Sequence, residues 1–245
     1  MFFDTHAHLN FKDFDKDRDE VIRRSLKEGF SIINVGTNYQ TSRKALEIAE
    51  SYKEGIYAAI GLHPLNREEG FDYKKYKRMA QSDKVVAIGE IGLDFCSERK
   101  NQERILLEQI KLTQELNLPV IFHCRKAHNE LIEIISDFNF QGVVHCFTGN
   151  IGQAEKYLAM GFYLGFNGMI YKLNLDKIIK RCPLERMLLE TDAPYLAPPQ
   201  AEKKRNEPEF LKHVAEKIAG IKEEELRKVA KLTNQNAQKL FLKRS

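Results

Sequence analysis

The chain has 245 residues, 42% hydrophobic and 30% charged, with 39 Lys and Arg against 35 Asp and Glu for a formal net charge of +4. These figures suit one large core and exclude long disordered stretches, and the small charge imbalance neither argues for nucleic acid by itself nor opposes a polyanionic substrate. No signal-peptide pattern opens the sequence and runs such as 56–60 are far too short to cross a bilayer, so a cytosolic protein with no membrane partner is expected.

The first eight residues, Met1-Phe2-Phe3-Asp4-Thr5-His6-Ala7-His8, run from an apolar start into an acid and two histidines one residue apart. In a β-strand both imidazoles project from one side, where they can grip a metal ion. Alone the pair is a weak signal, because histidines at that spacing arise by chance. Residues 13–28 place Phe14, Val21, Ile22 and Leu26 at roughly helical spacing, with Gly29 as a stop, which predicts a first helix. A strand over 31–37, a helix over 41–52 and a strand over 56–63, closed by Pro64, repeat the alternation. It continues with helix 73–82, strand 85–90, helix 100–117, strand 119–124, helix 127–138, strand 142–146, helix 152–160, strand 162–166, helix 175–181 and strand 186–192.

Eight apolar strands, each followed by a helical segment, predict an α/β fold of the (β/α)8 TIM-barrel class, a single domain over residues 1–245. A doubly wound sheet would carry a Gly-rich loop after its first strand, and no G-x-G-x-x-G occurs. Beyond a Pro-rich segment over 193–199 and the basic run Lys203-Lys204-Arg205, Asn206 and Glu209 fit a capping box for the eighth outer helix. Two extra short C-terminal helices, from Lys222 and Thr233, are expected to finish the chain. The four cysteines, Cys96, Cys124, Cys146 and Cys182, form no C-x-x-C pair, so they are expected to be buried thiols or supports for ligands rather than disulfides.

Barrel enzymes carry their active site at the carboxyl ends of the strands. Here His6 and His8 close strand one, His63 strand three, Glu90 strand four, His123 strand five, His145 strand six and Asp192 strand eight. His128 and His213 fall in helical segments and are expected at the surface. A single histidine at a strand end is most simply a polar group that tunes a loop, but imidazoles and carboxylates converging on one rim are costly to bury unpaired, and a shared cation resolves that cost. Four imidazoles and two carboxylates exceed one mononuclear site, so the count favours two metals bridged by a carboxylate.

Through Asp4-Thr5-His6-Ala7-His8-Leu9, Gly61-Leu62-His63-Pro64, Gly89-Glu90-Ile91-Gly92-Leu93-Asp94, Phe122-His123-Cys124-Arg125, His145-Cys146-Phe147-Thr148-Gly149, Glu190-Thr191-Asp192-Ala193-Pro194-Tyr195-Leu196 and Arg205-Asn206-Glu207-Pro208, the chain resembles the TatD family of metal-dependent deoxyribonucleases, within the amidohydrolase-like barrels. The resemblance spans almost the whole chain in the right order. It implies that His6, His8, Glu90 and Asp192 are ligands of one metal, that Glu90 bridges to a second held by His123 and His145, and that Asp192 is also the general base. It further implies a DNA substrate, cut from a 3′ end. Ala7 stands where a cysteine is common, and the stretch over 197–200 with its lysine-rich continuation departs from the family pattern in the loop after strand eight.

The residues suit that chemistry. Water attacks a phosphodiester in line with the leaving oxygen, and metals lower its pKa and neutralise phosphoryl charge, so no serine or cysteine nucleophile is needed. Asp192, Glu90 and His63 form the expected catalytic set. His63, Arg125 and Arg205 are the candidate substrate contacts, with a surface salt bridge as the simpler role for Arg125. Lys203 and Lys204 with Arg205 either guide a nucleic-acid backbone or form a solvated loop. Glu190 shares the inward parity of Asp192 and is a candidate to orient a ligand, and Phe95 and Tyr195 are candidates to stack a terminal base or to pack. The expected cofactors are two divalent ions, with magnesium, manganese and zinc all compatible, in a monomer. A hydrolase of a small amide, ester or phosphoester on the same scaffold is the competing function.

Overall fold

Strands that are apolar on both faces need cover on both sides, and the chain supplies it by following each strand with a helical segment. The computed structural model describes residues 1–201 and 205–242, so Lys203 and Lys204 lie outside the described residues. The strands are β1 (Phe2–Ala7), β2 (Phe30–Val35), β3 (Ile56–Ile60), β4 (Val85–Asp94), β5 (Val120–Arg125), β6 (Gly142–Val144), β7 (Tyr163–Phe166) and β8 (Met187–Leu189). The helices are α1 (Arg18–Lys27), α2 (Tyr39–Glu50), α3 (Tyr73–Met79), α4 (Gln102–Leu116), α5 (His128–Ile135), α6 (Ile151–Ala159), α7 (Asp176–Arg181), α8 (Leu211–Lys222) and α9 (Leu226–Phe241).

All neighbouring strands pair in parallel and in sequence order from β1 to β8, which is the barrel connectivity and excludes the reversal of a doubly wound sheet. The ends of the sheet meet beyond β8: the Asp192 N–H donates to the His6 carbonyl at 2.8 Å and the His8 N–H to the Ala193 carbonyl at 2.7 Å. Asp4 reinforces this seam, accepting the Thr191 N–H at 2.9 Å. Hydrogen bonds across the seam therefore set three of the proposed ligands directly.

Alternation sorts each strand's side chains between two cores. Val120 and Phe122 of β5 join the large cluster shared with the helices, whereas Ile121 joins a smaller one. That smaller cluster takes at least one residue from every strand, including Phe3, Ile33, Ala59, Ala87, Ile121, Val143, Tyr163 and Leu188, and so fills the barrel interior. Ala237, Leu240 and Phe241 of α9 complete it. Asn236 donates to the carbonyls of Leu184 and Met187 at the start of β8, which puts α9 across the amino-terminal mouth, opposite the end that carries the strand-terminal histidines.

Several expectations need correction. The first helix is shorter than 13–28, a 3-10 turn at Lys12–Phe14 preceding α1. Strand β4 runs four residues beyond Glu90, to Asp94, and is buried throughout. Asn206 caps no helix: its amide donates to the carbonyls of Thr191 and Tyr195, and it ties the loop after β8 to the barrel instead. The two short terminal helices are replaced by α9, which runs unbroken through Thr233. His128 is buried, with Nδ1 3.2 Å from the Tyr157 hydroxyl, and His213 is half-buried beside Glu216. Cys96 is exposed rather than buried, and all four cysteines are free.

Candidate active site

A cavity of about 590 Å³ opens at the carboxyl end of the barrel, and its walls include His8, His63, Glu90, His123, Arg125, His145, Asp192 and Tyr195. Loop and strand ends from most of the barrel thus converge on one space. His6 lies fully buried just beneath, stacked on the His145 ring at 3.8 Å between centroids.

Glu90 is the centre of the arrangement. Its Oε2 lies 3.4 Å from His6 Nε2 and 3.9 Å from His8 Nε2. Asp192 Oδ1 completes that side, 3.4 Å from His8 Nε2 and 3.8 Å from His6 Nε2. A cation bound tetrahedrally at about 2.0–2.1 Å keeps its ligand atoms about 3.3 Å apart, and His6, His8 and Glu90, whose ligand atoms all lie within 4.8 Å of one another, could hold one ion with Asp192 beside them. The other oxygen, Oε1, lies 2.9 Å from His123 Nδ1, 3.2 Å from His145 Nε2 and 3.5 Å from His63 Nε2. One carboxylate therefore faces two groups of imidazoles with its two oxygens.

The electrostatics fit the same demand. Burial opposes charge on Glu90, yet the imidazoles of His63, His145 and His6 hold its carboxyl well below the ordinary range. Burial likewise opposes a proton on His145, and Glu190 with Glu90 outweighs it, holding that imidazole well above its usual value. Asp192 is lowered in the same way, burial being outweighed by the His8 hydrogen bond and the neighbouring imidazoles. The cluster calls for positive charge between these carboxylates, which protons or cations can supply.

Three supports lie behind the imidazoles. His8 Nδ1 lies 2.9 Å from the Val35 carbonyl, fixing Nε2 as the nitrogen that faces the cavity. Glu190 Oε1 lies 3.0 Å from His145 Nδ1 and also accepts the Cys146 N–H at 2.6 Å and the Asn167 amide at 3.1 Å. Asp94, buried at the end of β4, meets His123 Nε2 at 3.1 Å. The signal for it in the sequence is its place four residues beyond Glu90, which puts both acids on one face if the strand continues to Asp94.

Among the substrate contacts, His63 and Arg125 reach the cavity wall and Arg205 does not line it. The Arg205 guanidinium is engaged by Asp17 at 2.6 Å and Glu207 at 2.7 Å and lies over the Phe14 ring, so it secures the loop after β8. Tyr195 lines the cavity and is half exposed, whereas Phe95 lies outside it, under Arg99.

The family described as TatD-related DNase matches residues 3–242. An uncharacterized metal-dependent hydrolase, YabD of Bacillus subtilis, is 41% identical over 98% of this chain and 99% of its own. A protein named 3′-5′ ssDNA/RNA exonuclease TatD, from Pectobacterium carotovorum, is 36% identical over 98% of both chains. The crystal structure of the YJJV TatD homologue of Escherichia coli superposes with a TM-score of 0.91 at 32% identity, covering 99% of this chain and 98% of the other.

Proposed function

Because this chain belongs to the TatD-related DNase family, whose members include metal-dependent hydrolases, we propose that it is a two-cation nuclease that removes nucleotides from the 3′ end of single-stranded DNA. The observation that carries the reading is the divided Glu90 carboxylate, with His6 and His8 off one oxygen and His123 and His145 off the other. His6, His8, Glu90 and Asp192 would hold one divalent ion, and Glu90, His123 and His145 the other. When bound, such ions supply Lewis acidity toward a phosphoryl oxygen and lower the pKa of an attacking water.

The side chains supply the rest. Asp192 is the general base: its carboxylate is kept ionised by the imidazoles beside it and takes the proton of the attacking water. His63 Nδ1 accepts the Leu65 N–H at 3.1 Å, which leaves a proton on Nε2, the nitrogen directed at Glu90. A neutral His63 thus offers a hydrogen bond to a phosphoryl or leaving oxygen. Arg125, exposed on the cavity wall, suits a second phosphate oxygen, and Tyr195 gives a terminal base a surface to stack on.

The test is chelator-stripped protein incubated with single-stranded DNA labelled at the 5′ or the 3′ end, with magnesium, manganese or zinc restored separately. The expected result is a progressively shortening ladder from the 5′ label and immediate release of a labelled mononucleotide from the 3′ label. No shortening with any of the three metals overturns the nuclease reading, and hydrolysis of small phosphoesters in its place transfers the function to a small-molecule substrate.

A further inference from the structure

Strand β4 meets one imidazole with two carboxylates. Glu90 Oε1 lies 2.9 Å from His123 Nδ1, and Asp94 Oδ2 lies 3.1 Å from His123 Nε2. We propose that Asp94 is a positioning residue of the second cation position, acting on His123 as Glu190 acts on His145: by accepting the His123 Nε2–H it turns the Nδ1 lone pair toward the cation, and the affinity of that position depends on it. The proposal rests on the two-cation reading given above.

Asp94 is built in rigidly for this task. Its other oxygen accepts the Cys96 N–H at 2.9 Å. Its own N–H donates to Gln102 Oε1 at 2.8 Å, and its carbonyl accepts from Gln102 Nε2 at 2.9 Å, the glutamine being buried. Gly92 brings β4 close to β5 at the ligand itself, since it pairs with His123 at φ 148° and a Cβ there would stand 1.9 Å from the His123 carbonyl oxygen. Among the described residues no such carboxylate backs the imidazoles of the first position, where His8 Nδ1 leans on the neutral Val35 carbonyl. A charged acceptor behind an imidazole fixes its tautomer and raises its basicity, and losing one typically weakens metal binding by about 10–100-fold.

Asparagine keeps the size of Asp94 but offers one oxygen to two donors, the Cys96 N–H and the His123 Nε2–H. The experiment titrates Co2+ into chelator-stripped wild type, Asp94→Asn and Asp94→Ala, read by visible absorption and calorimetry. Wild type is expected to take two equivalents. In Asp94→Asn one step weakens by about 10–100-fold while the other stays within about threefold. Asp94 lines the cavity, so formate is expected to restore part of the lost affinity of Asp94→Ala, which a folding defect would not allow. Two unchanged steps, equal weakening of both, or no recovery with formate overturns the proposal alone. A single equivalent in wild type overturns the two-cation reading and this proposal with it.

Discussion

Asp192 sits at φ 59°, in the left-handed region, between the seam hydrogen bond of its N–H to His6 and that of its carbonyl to the Tyr195 N–H. Asparagine tolerates this backbone better than most residues, so Asp192→Asn removes the charge while keeping the fold. Turnover of single-stranded DNA is expected to fall at least about 10²-fold, the lower range for loss of a general base, with circular dichroism unchanged. Near-normal turnover would remove that role. His128 makes a second prediction at this scale, because burial pushes its pKa down to about 4. Between pH 6.5 and 4 the unfolded chain binds a proton there that the folded chain refuses, so its stabilising contribution is present above 6.5 and is lost as pH falls to 4. His128→Gln is expected to flatten that part of the stability curve in urea melts, by up to about 3 kcal/mol. The burial was legible: His128, Leu131, Ile132 and Ile135 make one stripe at helical spacing. A polar residue type hid it.

Helix α9 shows where an element escapes periodicity. Its buried face includes Val229, Thr233, Asn236, Ala237 and Leu240, and the two polar members interrupt the apolar pattern that would mark one long helix. Both are satisfied in the fold, Thr233 by the Val229 carbonyl at 2.9 Å and Asn236 by two carbonyls around β8. Strand β4 outruns its apolar signal for a different reason: beyond Ile88 the continuous apolar run is broken by Gly89, Glu90, Gly92 and Asp94, and the register shifts between Gly89 and Ile91. The other strands were legible because parallel strands covered on both faces are almost wholly apolar, which makes a histidine just beyond them conspicuous, although β3, β6 and β8 stop at Ile60, Val144 and Leu189, short of the expected ends. Leu240→Ala, which removes packing inside the barrel, is expected to cost about 2–5 kcal/mol in denaturant unfolding while leaving metal content unchanged. A loss below about 0.5 kcal/mol would show that α9 contributes little to the interior.

Across the whole molecule the formal charge is +4, yet one end of the barrel buries Glu90, Asp94 and Glu190 together, with Asp192 at the same rim. Folding must neutralise that concentration of acid, and cations that bind only the folded state raise stability by about 2.7 kcal/mol at a hundred times their dissociation constant. Stripping metal is therefore expected to lower the melting temperature by about 5–10 °C for a chain of this size, recoverable on adding back manganese. An identical melting curve with and without metal would contradict this coupling. The double variant His6→Ala, His8→Ala is expected to retain close to one metal per chain by elemental analysis, held through His123 and His145, and full loss would show that the two positions fill together.

The placement of α9 across the barrel mouth also bears on how the protein is made. Its residues Ala237, Leu240 and Phe241 follow every strand in the chain, so during translation all eight strands leave the ribosome before the helix that floors their interior. Until then Phe3, Ile33 and Ile121 have no lid on that side, and the emerging barrel carries an apolar opening that invites association with other nascent chains. Completion of the last helical turns, rather than pairing of the last strand, is the event that ends this exposure.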